Sequence, residues 1–383
     1  MQLLTRRRVL VALGAVALLG AVAWAGARWT AARTTWSTDF AAIADIDADS
    51  WTISGSGVDV LIEERLTHFA GGHDSLQVRL SEDPWPNGGV ARVSASGEVA
   101  VAGYAKGNTN FHELQVTRFT RDGRLLFKVP LGLEKNPTCG TGYRDPVLAV
   151  DDEHTWVTIE SGILELDASG KALGWLSCNS GPRCVVVAAH AHAGAVVLET
   201  FDSDRDFSNP RYSLEWYGRG GTFERRALLT RDGLGRTFDG RGGYYWVTRK
   251  APIECPGLPN DDAPRLVRAD ARGCTFGPRL PADVARGEAQ PLLATGPSFV
   301  FAVERENPPI WKRWLRGDRS NLPYLRLHRF RLDGTYVDSR FARADSRSSE
   351  FEFLGAIDDE HLVLTTNERA TLGGYWHVSG LEY

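Results

Sequence analysis

The chain has 383 residues, 43% of them hydrophobic, with 40 glycines, 12 tryptophans and a formal net charge of −4 at pH 7. That length and apolar content can bury a large core, and the slightly acidic balance offers no basic footprint for nucleic acid. The five cysteines include no C-x-x-C pair, which argues against zinc ribbons and thioredoxin-like redox motifs.

The N-terminus is an address label. Thr5-Arg6-Arg7-Arg8-Val9-Leu10 precedes an apolar run from Val9 to Gly26 that is rich in alanine and glycine. The arrangement resembles a twin-arginine export signal, with Val9 in place of the usual phenylalanine and Val11 where lysine is common. An ordinary secretory signal or a signal anchor reads the same residues, since the run is marginally long enough to span a bilayer. Ala25-Gly26-Ala27 offers a small-residue cleavage site. Every one of these readings puts the chain from Arg28 onward outside the cytoplasm, periplasmic or extracellular, with residues 9–26 either removed or kept as an anchor in the cytoplasmic membrane.

The expected organisation has three parts. Residues 1–27 are the signal peptide or anchor, 28–84 an extension or strap that carries a closing strand, and 85–383 a repeat domain. Trp29, Trp36 and Trp51 stand among small polar residues without periodicity, and Val58–Ile62 and Leu76–Leu80 then alternate as strands do. From Leu114 a unit appears that the chain keeps rewriting: LQVTRFTRDGRLLFKVPL, a strand, a tight turn at Asp122-Gly123, and a second strand. The same order returns at Gly162–Leu176, Tyr212–Leu229, Arg265–Leu280 and Leu325–Phe341. The turn glycines (Gly123, Gly170, Gly221, Gly273, Gly334) recur roughly every fifty residues, the period of a four-stranded blade. Six bulky second strands start at Val99, Thr155, Val196, Tyr245, Phe299 and Leu362. They predict an all-β, six-bladed propeller closed by an N-terminal strand, or a seven-bladed one if residues 51–81 form a unit of their own. Residues 90–383 resemble the broad β-propeller group that includes NHL-like and quinoprotein-like repeats. That resemblance is of repeat form, and it carries over no catalytic residue.

Blade topology then sorts the links. First-to-second and third-to-fourth strand links are tight, as at Asp122-Gly123, Ser169-Gly170, Asp333-Gly334 and the twin turns Asp151–His154 and Asp358–His361. Second-to-third links are long at Ala105–Asn110, Asp202–Arg211, Ala251–Pro264 and Arg305–Pro323, and the crossing Gly132–Asp145 joins them on the same rim. Long loops gathered on one rim are the expected working face.

Within that rim the candidate binding residues are Trp311, Lys312, Arg313, Trp314 and Arg316, with Asp202, Asp204, Tyr143 and Arg144. On a helix Ile310, Trp311, Trp314 and Leu315 share one face and Lys312, Arg313 and Arg316 the other, which suits a bilayer interface or a protein partner. The same tryptophans would equally serve a lid packed on the ring. The carboxylates of Asp202, Asp204 and Asp206 alternate as in calcium loops, but the glycine and later glutamate of an EF-hand are missing and a solvated hairpin tip fits better. His190 and His192 stand two apart on one strand and point to one side, a metal pair only if another blade supplies a third ligand. No metal set is complete, and no cofactor is implied.

Cysteine placement predicts the pairing. Cys139, Cys178, Cys184 and Cys255 belong to the long-loop face, whereas Cys274 follows the turn glycine Gly273 on the other face, about 20 Å away at about 3.3 Å per residue. A disulfide tolerates about 4.4–6.8 Å between Cα atoms. Cys178–Cys184 is therefore expected, with Cys139 the nearest competitor for either partner and Cys274 reduced and partly buried. A Cys255–Cys274 bond would require the fourteen-residue loop to wrap down the blade. No nucleophile elbow, phosphate loop, dinucleotide fingerprint or H-E-x-x-H is present. The sequence favours a non-catalytic propeller that binds a protein or glycan partner in the cell envelope, with membrane contact and no nucleic acid. A propeller hydrolase or oxidoreductase with its site at the channel mouth is the alternative.

Overall fold

The computed structural model describes residues 16–23, 33–39 and most of 51–382. Within the last span it leaves out 55–56, 63–64, 71–72, 82–88, 105–111, 135–145, 160–161, 180–183, 203–210, 230–233, 249–256, 260, 262, 282–283, 285–290, 307–323, 344–349, 357 and 371–372. Residues 16–23 are helical, with Val16, Leu18, Leu19 and Val22 exposed. Among the described residues no helix is long and apolar enough to cross a membrane.

Apart from a 3-10 turn at Arg219–Gly221, the other regular elements among the described residues are strands. β1 (Arg33–Asp39) comes first. β2 (Trp51–Ser54), β3 (Gly57–Ile62), β4 (Arg65–Ala70) and β5 (His73–Arg79) form one four-stranded antiparallel sheet. The next is β6 (Gly89–Val93), β7 (Val99–Tyr104), β8 (His112–Phe119) and β9 (Leu125–Glu134). It is followed by β10 (Leu148–Val150), β11 (His154–Ile159), β12 (Gly162–Asp167) and β13 (Ala172–Ser177). Then come β14 (Val185–His192), β15 (Ala195–Asp202), β16 (Arg211–Tyr217) and β17 (Phe223–Leu229). The fifth is β18 (Leu234–Phe238), β19 (Tyr244–Thr248), β20 (Arg265–Asp270) and β21 (Gly273–Phe276). The sixth is β22 (Leu292–Thr295), β23 (Phe299–Glu306), β24 (Tyr324–Arg331) and β25 (Tyr336–Arg343). Finally β26 (Glu350–Ala356), β27 (His361–Ala370) and β28 (Gly373–Glu382) take β1 as their fourth strand, Arg33 pairing with Glu382 and Asp39 with His377.

Each sheet's first strand touches the first strand of a neighbour: β2 with β6, β6 with β10, β10 with β14, β18 with β22, β22 with β26, and β26 with β2. Repeated four-stranded antiparallel sheets with their first strands gathered together are the architecture of a β-propeller. The six second strands read from the sequence lie at their expected places, within one residue at their starts. The N-terminal part follows the alternative expectation for this segment. Residues 51–79 make a sheet of their own rather than lending a closing strand, and the place beside β28 is filled by β1. That unit spans only about thirty residues, with two-residue links and no Asp-Gly turn, so the fifty-residue repeat pattern does not register it.

The cores lie in the seams between sheets. Val90, Ala100, Leu114 and Phe127 meet Leu148, Val157 and Leu166 in one seam. Trp156, Ile163 and Leu176 meet Val186, Val196 and Leu198 in the next, and Leu214, Trp216 and Ala227 meet Tyr244, Trp246 and Val267 in a third. A middle strand therefore buries both of its faces, so it reads as an apolar run rather than as an alternation. β12 is buried or half-buried throughout, whereas the outer strand β13 buries only Leu176.

The tight turns repeat in atomic detail. Gly123, Gly170 and Gly334 have φ of 83°, 83° and 84°, a region that only glycine enters without strain. Each donates its N–H to the carbonyl three residues back, on Thr120, Asp167 and Arg331, at 2.9 Å. At the twin turns Asp151 Oδ1 accepts from the N–H groups of Glu153 and His154, and Asp358 Oδ1 from those of Glu360 and His361. These aspartates are turn-forming residues, as expected.

One buried cation fastens two sheets. Arg118 on β8 is completely buried, and all five of its N–H groups find acceptors. Nε meets Glu98 Oε2 at 2.9 Å, Nη1 the His154 carbonyl and Thr155 Oγ1 at 3.3 and 3.2 Å, and Nη2 the Asp151 and Asp152 carbonyls at 2.7 and 3.0 Å. Four of those five acceptors belong to the following sheet.

Candidate functional site

Antiparallel topology puts alternate links at opposite ends of a sheet, and the two ends differ. One end carries the tight, aspartate-capped turns. The other carries the inserts 105–111, 203–210, 249–264 and 307–323, whose roots are the paired strand residues Tyr104/Leu114, Asp202/Arg211, Thr248/Arg265 and Glu306/Tyr324. Trp311, Lys312, Arg313, Trp314, Arg316, Asp204, Tyr143 and Arg144 lie outside the described residues. Asp202 is described: it ends β15, half-buried, opposite Arg211. At the root of the 249–264 insert, Arg265 holds Asp261 at 2.8 Å.

The His190/His192 pair does point to one side, but into a seam. The ring of His190 stacks on Phe238 of the next sheet with centroids 4.9 Å apart, and that of His192 lies 6.4 Å from the same phenylalanine. His192 also sits directly over Gly242, where a Cβ would collide with it. Among the described residues neither histidine belongs to a group of three metal-ligating side chains. His190 Nε2 instead lies 3.5 Å from Glu199 Oε1, and the hydroxyl of Tyr244 donates to that same oxygen. This nitrogen is buried without a hydrogen-bond partner. An imidazole, a carboxylate and a phenol are group types that move protons; the His190 side chain keeps 31% exposure, but the nitrogen facing Glu199 is itself buried. Sequence reasoning singled out the histidines but not Glu199 or Tyr244. The signal for Glu199 is a lone charge within the apolar run VVLETF.

A related pattern occurs twice more. His154 Nε2 lies 3.8 Å from Glu165, and His328 Nε2 lies 3.6 Å from Glu304. In all three sheets the two residues are diagonal neighbours on adjacent strands. Burial pushes the Glu165 carboxyl above its ordinary range; His154 opposes the shift and Asp151 adds to it.

Cys178 and Cys184 are joined, with Cα atoms 5.9 Å apart. Cys274 corrects the expectation made for it. It is disulfide-bonded rather than reduced, to a partner outside the described residues, and Arg225 Nη2 donates to its sulfur at 3.1 Å. The expectation treated strand ends as fixed to two parallel rims. Successive strands of a sheet rotate by roughly 20–25°, so the outer strands of a blade lean across its edge and their ends leave those planes.

No family model matches the chain, and no curated protein matches it. Solved structures do resemble it in fold. A prolyl endopeptidase aligns over 90% of this chain at 12% identity and a TM-score of 0.44; the alignment spans 47% of that longer protein. The WD40 domain of SCAP from fission yeast aligns over 85% of this chain and 82% of its own at 9% identity and a TM-score of 0.38. A glucose dehydrogenase aligns over 71% of this chain and 95% of its own at 11% identity and a TM-score of 0.37. These include both enzymes and a binding domain. The propeller architecture stands on the chain's own sheet connectivity.

Proposed function

We propose that the protein is an exported, non-catalytic β-propeller, a closed ring of seven four-stranded blades, that binds a protein or glycan partner of the cell envelope through its long-loop rim. One observation carries the reading: tight turns occupy one end of the sheets, and the four long second-to-third strand inserts all root at the other. Scaffolds that present loops on one side use that side for recognition. The arginine–apolar–small order of residues 5–27 supports export, and the contact of β26 with β2 supports closure. The tryptophans and cations of Trp311–Arg316 supply the aromatic and arginine anchors on which interfaces rely.

The test substitutes Trp311 and Trp314 together by serine. The unfolding midpoint should stay nearly unchanged while retention on envelope membranes or on a glycan array falls. A loss of several kcal/mol, the usual cost of deleting buried tryptophans, would show that the insert packs on the ring and that the rim reading fails. A second reading, an enzyme with its site at the channel mouth, has the His190–Glu199–Tyr244 cluster in its favour. It predicts that His190→Gln abolishes turnover of a bound glycan without abolishing its binding. A glycan that wild-type protein binds and returns unchanged supports the first reading.

A further inference from the structure

The segment joining β13 to β14 carries a cluster that packing does not account for. The sulfurs of Cys178 and Cys184 and a carboxylate oxygen of Glu215 form one group with all ligand atoms within 4.8 Å of one another. Glu215 sits on β16 with no exposure at all. The backbone N–H of Asn179, next to Cys178, spans both of its oxygens at 3.1 and 3.0 Å. The hydroxyl of Tyr217 lies 2.8 Å from Oε2 and 2.8 Å from the Ser177 carbonyl, and receives Asn179 Nδ2 at 2.9 Å. A fully buried carboxylate is costly, and this one is oriented from two sides toward a pair of sulfurs.

The geometry points to a redox-gated metal site: Cys178, Cys184 and Glu215 bind a divalent ion of the zinc class when the disulfide is reduced, and the disulfide closes the site when oxidised. Zinc takes thiolate sulfur at about 2.3 Å and carboxylate oxygen at about 2.0–2.2 Å. A tetrahedral ion needs its donors roughly 4 Å apart or slightly less: reduction must part the two bonded sulfurs to that separation, while Glu215 already lies within 4.8 Å of them. Two thiolates and one carboxylate select zinc over the hard cations, and three protein ligands leave a fourth position for water or a ligand. Asn179 and Tyr217 serve as the outer shell that fixes the carboxylate.

The electron and proton count closes. An external dithiol gives two electrons to the Cys178–Cys184 bond; that bond breaks, two protein thiols form, and the dithiol leaves as its cyclic disulfide. The incoming dication then displaces both thiol protons to solvent. The oxidised cluster holds the single negative charge of Glu215. Two thiolates, a carboxylate and a dication also sum to a single negative charge. The pocket thus exchanges disulfide for metal with no change in its net charge.

The experiment uses the full chain, reduced under anaerobic conditions with a phosphine that offers no thiol of its own, and titrated with Co²⁺. The reduced protein should take up one equivalent, with a thiolate-to-cobalt charge-transfer band and tetrahedral d–d bands that Zn²⁺ abolishes. The oxidised protein should show neither. Cys178→Ser or Cys184→Ser should remove the charge-transfer band. Glu215→Gln should weaken binding at least about 10-fold, the low end of what an outer-shell loss alone costs. If the serine variants do not fold, alkylation mapping of the wild-type chain decides: Zn²⁺ should protect Cys178 and Cys184 and leave Cys139, Cys255 and Cys274 unprotected. Absence of the charge-transfer band, equal uptake by the oxidised chain, or protection confined to the other cysteines would overturn the proposal. The site shares the long-loop face but takes no ligand from the four second-to-third strand inserts, so binding that survives loss of the metal, or metal uptake that survives the Trp311/Trp314 substitution, tells the two readings apart.

Discussion

Replacing Arg118 by methionine tests whether the seams are held by directional contacts or by apolar burial alone. The side chain keeps its apolar stem as far as the Nε position and loses the guanidinium with five N–H donors, every one of which is engaged. Removing one member of a buried charged set typically costs about 3–5 kcal/mol. Two features place this case near the lower limit. Glu98 keeps 27% side-chain exposure and can rehydrate, and the His154 carbonyl still receives the N–H of Asp151. The expected loss is about 3 kcal/mol, read as a lower urea midpoint at an unchanged slope. Glu98→Gln alone should cost under about 1 kcal/mol, as a half-wet partner does. Amide exchange should accelerate at residues 151–155, in the next sheet. A loss under about 1 kcal/mol for Arg118→Met would refute the clamp. So would a Glu98→Gln loss of equal size, since the energy would then reside in the ion pair rather than in the grip on the neighbouring carbonyls.

Three further outcomes are expected. The Glu165 carboxyl is raised by burial, so its contribution to stability is complete below its unfolded pKa and is lost as pH rises through the folded value; Glu165→Gln should raise the unfolding midpoint at neutral pH and leave it unchanged in acid, as thermal scans across pH will show. Asp270 behaves oppositely: burial works against its charge, but the Arg268 hydrogen bond and the N–H groups of Arg272 and Gly273 win and lower it. Its contribution is present above the unfolded pKa and is lost as pH falls through the folded value, so Asp270→Asn should cost about 1 kcal/mol at neutral pH and nothing in strong acid. Gly334→Ala should cost well over the roughly 1–2 kcal/mol of a left-handed alanine, because its Cβ would strike the backbone of Gly277, whereas Gly240→Ala, left-handed but in open space, should cost only that strain; denaturant midpoints of the two variants make the comparison.

What the sequence made legible was local. Asp122-Gly123, Ser169-Gly170 and Asp333-Gly334 mark turns because the left-handed glycine is a requirement of the turn itself, and link lengths can be counted before any coordinate is known. Whatever depends on the relation between sheets stayed hidden. The unit at residues 51–79 lacks the turn signature, and the bond made by Cys274 depends on how far an outer strand leans. Arg118, Glu199 and Glu215 look like ordinary strand charges in LQVTRF, VVLETF and YSLEWY. Only three-dimensional placement brings Arg118 to carbonyls more than thirty positions away, or Glu215 to Asn179.

Those hidden contacts have a common logic. The apolar seams are chemically alike, and burial is non-directional, so apolar contact alone would tolerate sheets sliding past one another or packing in the wrong order. The polar contacts vary from seam to seam, although one recurs: the N–H of Ser96 meets Asp152 Oδ1 and that of Ser298 meets Asp359 Oδ1, each in an Asp-Asp-Glu-His turn. Ser96 N–H meets Asp152 and Arg118 meets residues 151–155 at one, while Gly194 N–H meets Asp151 Oδ2 at the next. Trp216 Nε1 donates to the Gly242 carbonyl at 3.0 Å, Tyr245 to the Leu332 carbonyl at 3.0 Å, and Ser298 N–H to Asp359 at 2.8 Å. Each buried donor displaced from its acceptor would cost about 1–3 kcal/mol, so a slipped or exchanged sheet loses several such terms at once. A repeat protein whose units share one grammar thus keeps their order chiefly through the contacts its seams do not share, such as those of Arg118, Trp216 and Tyr245.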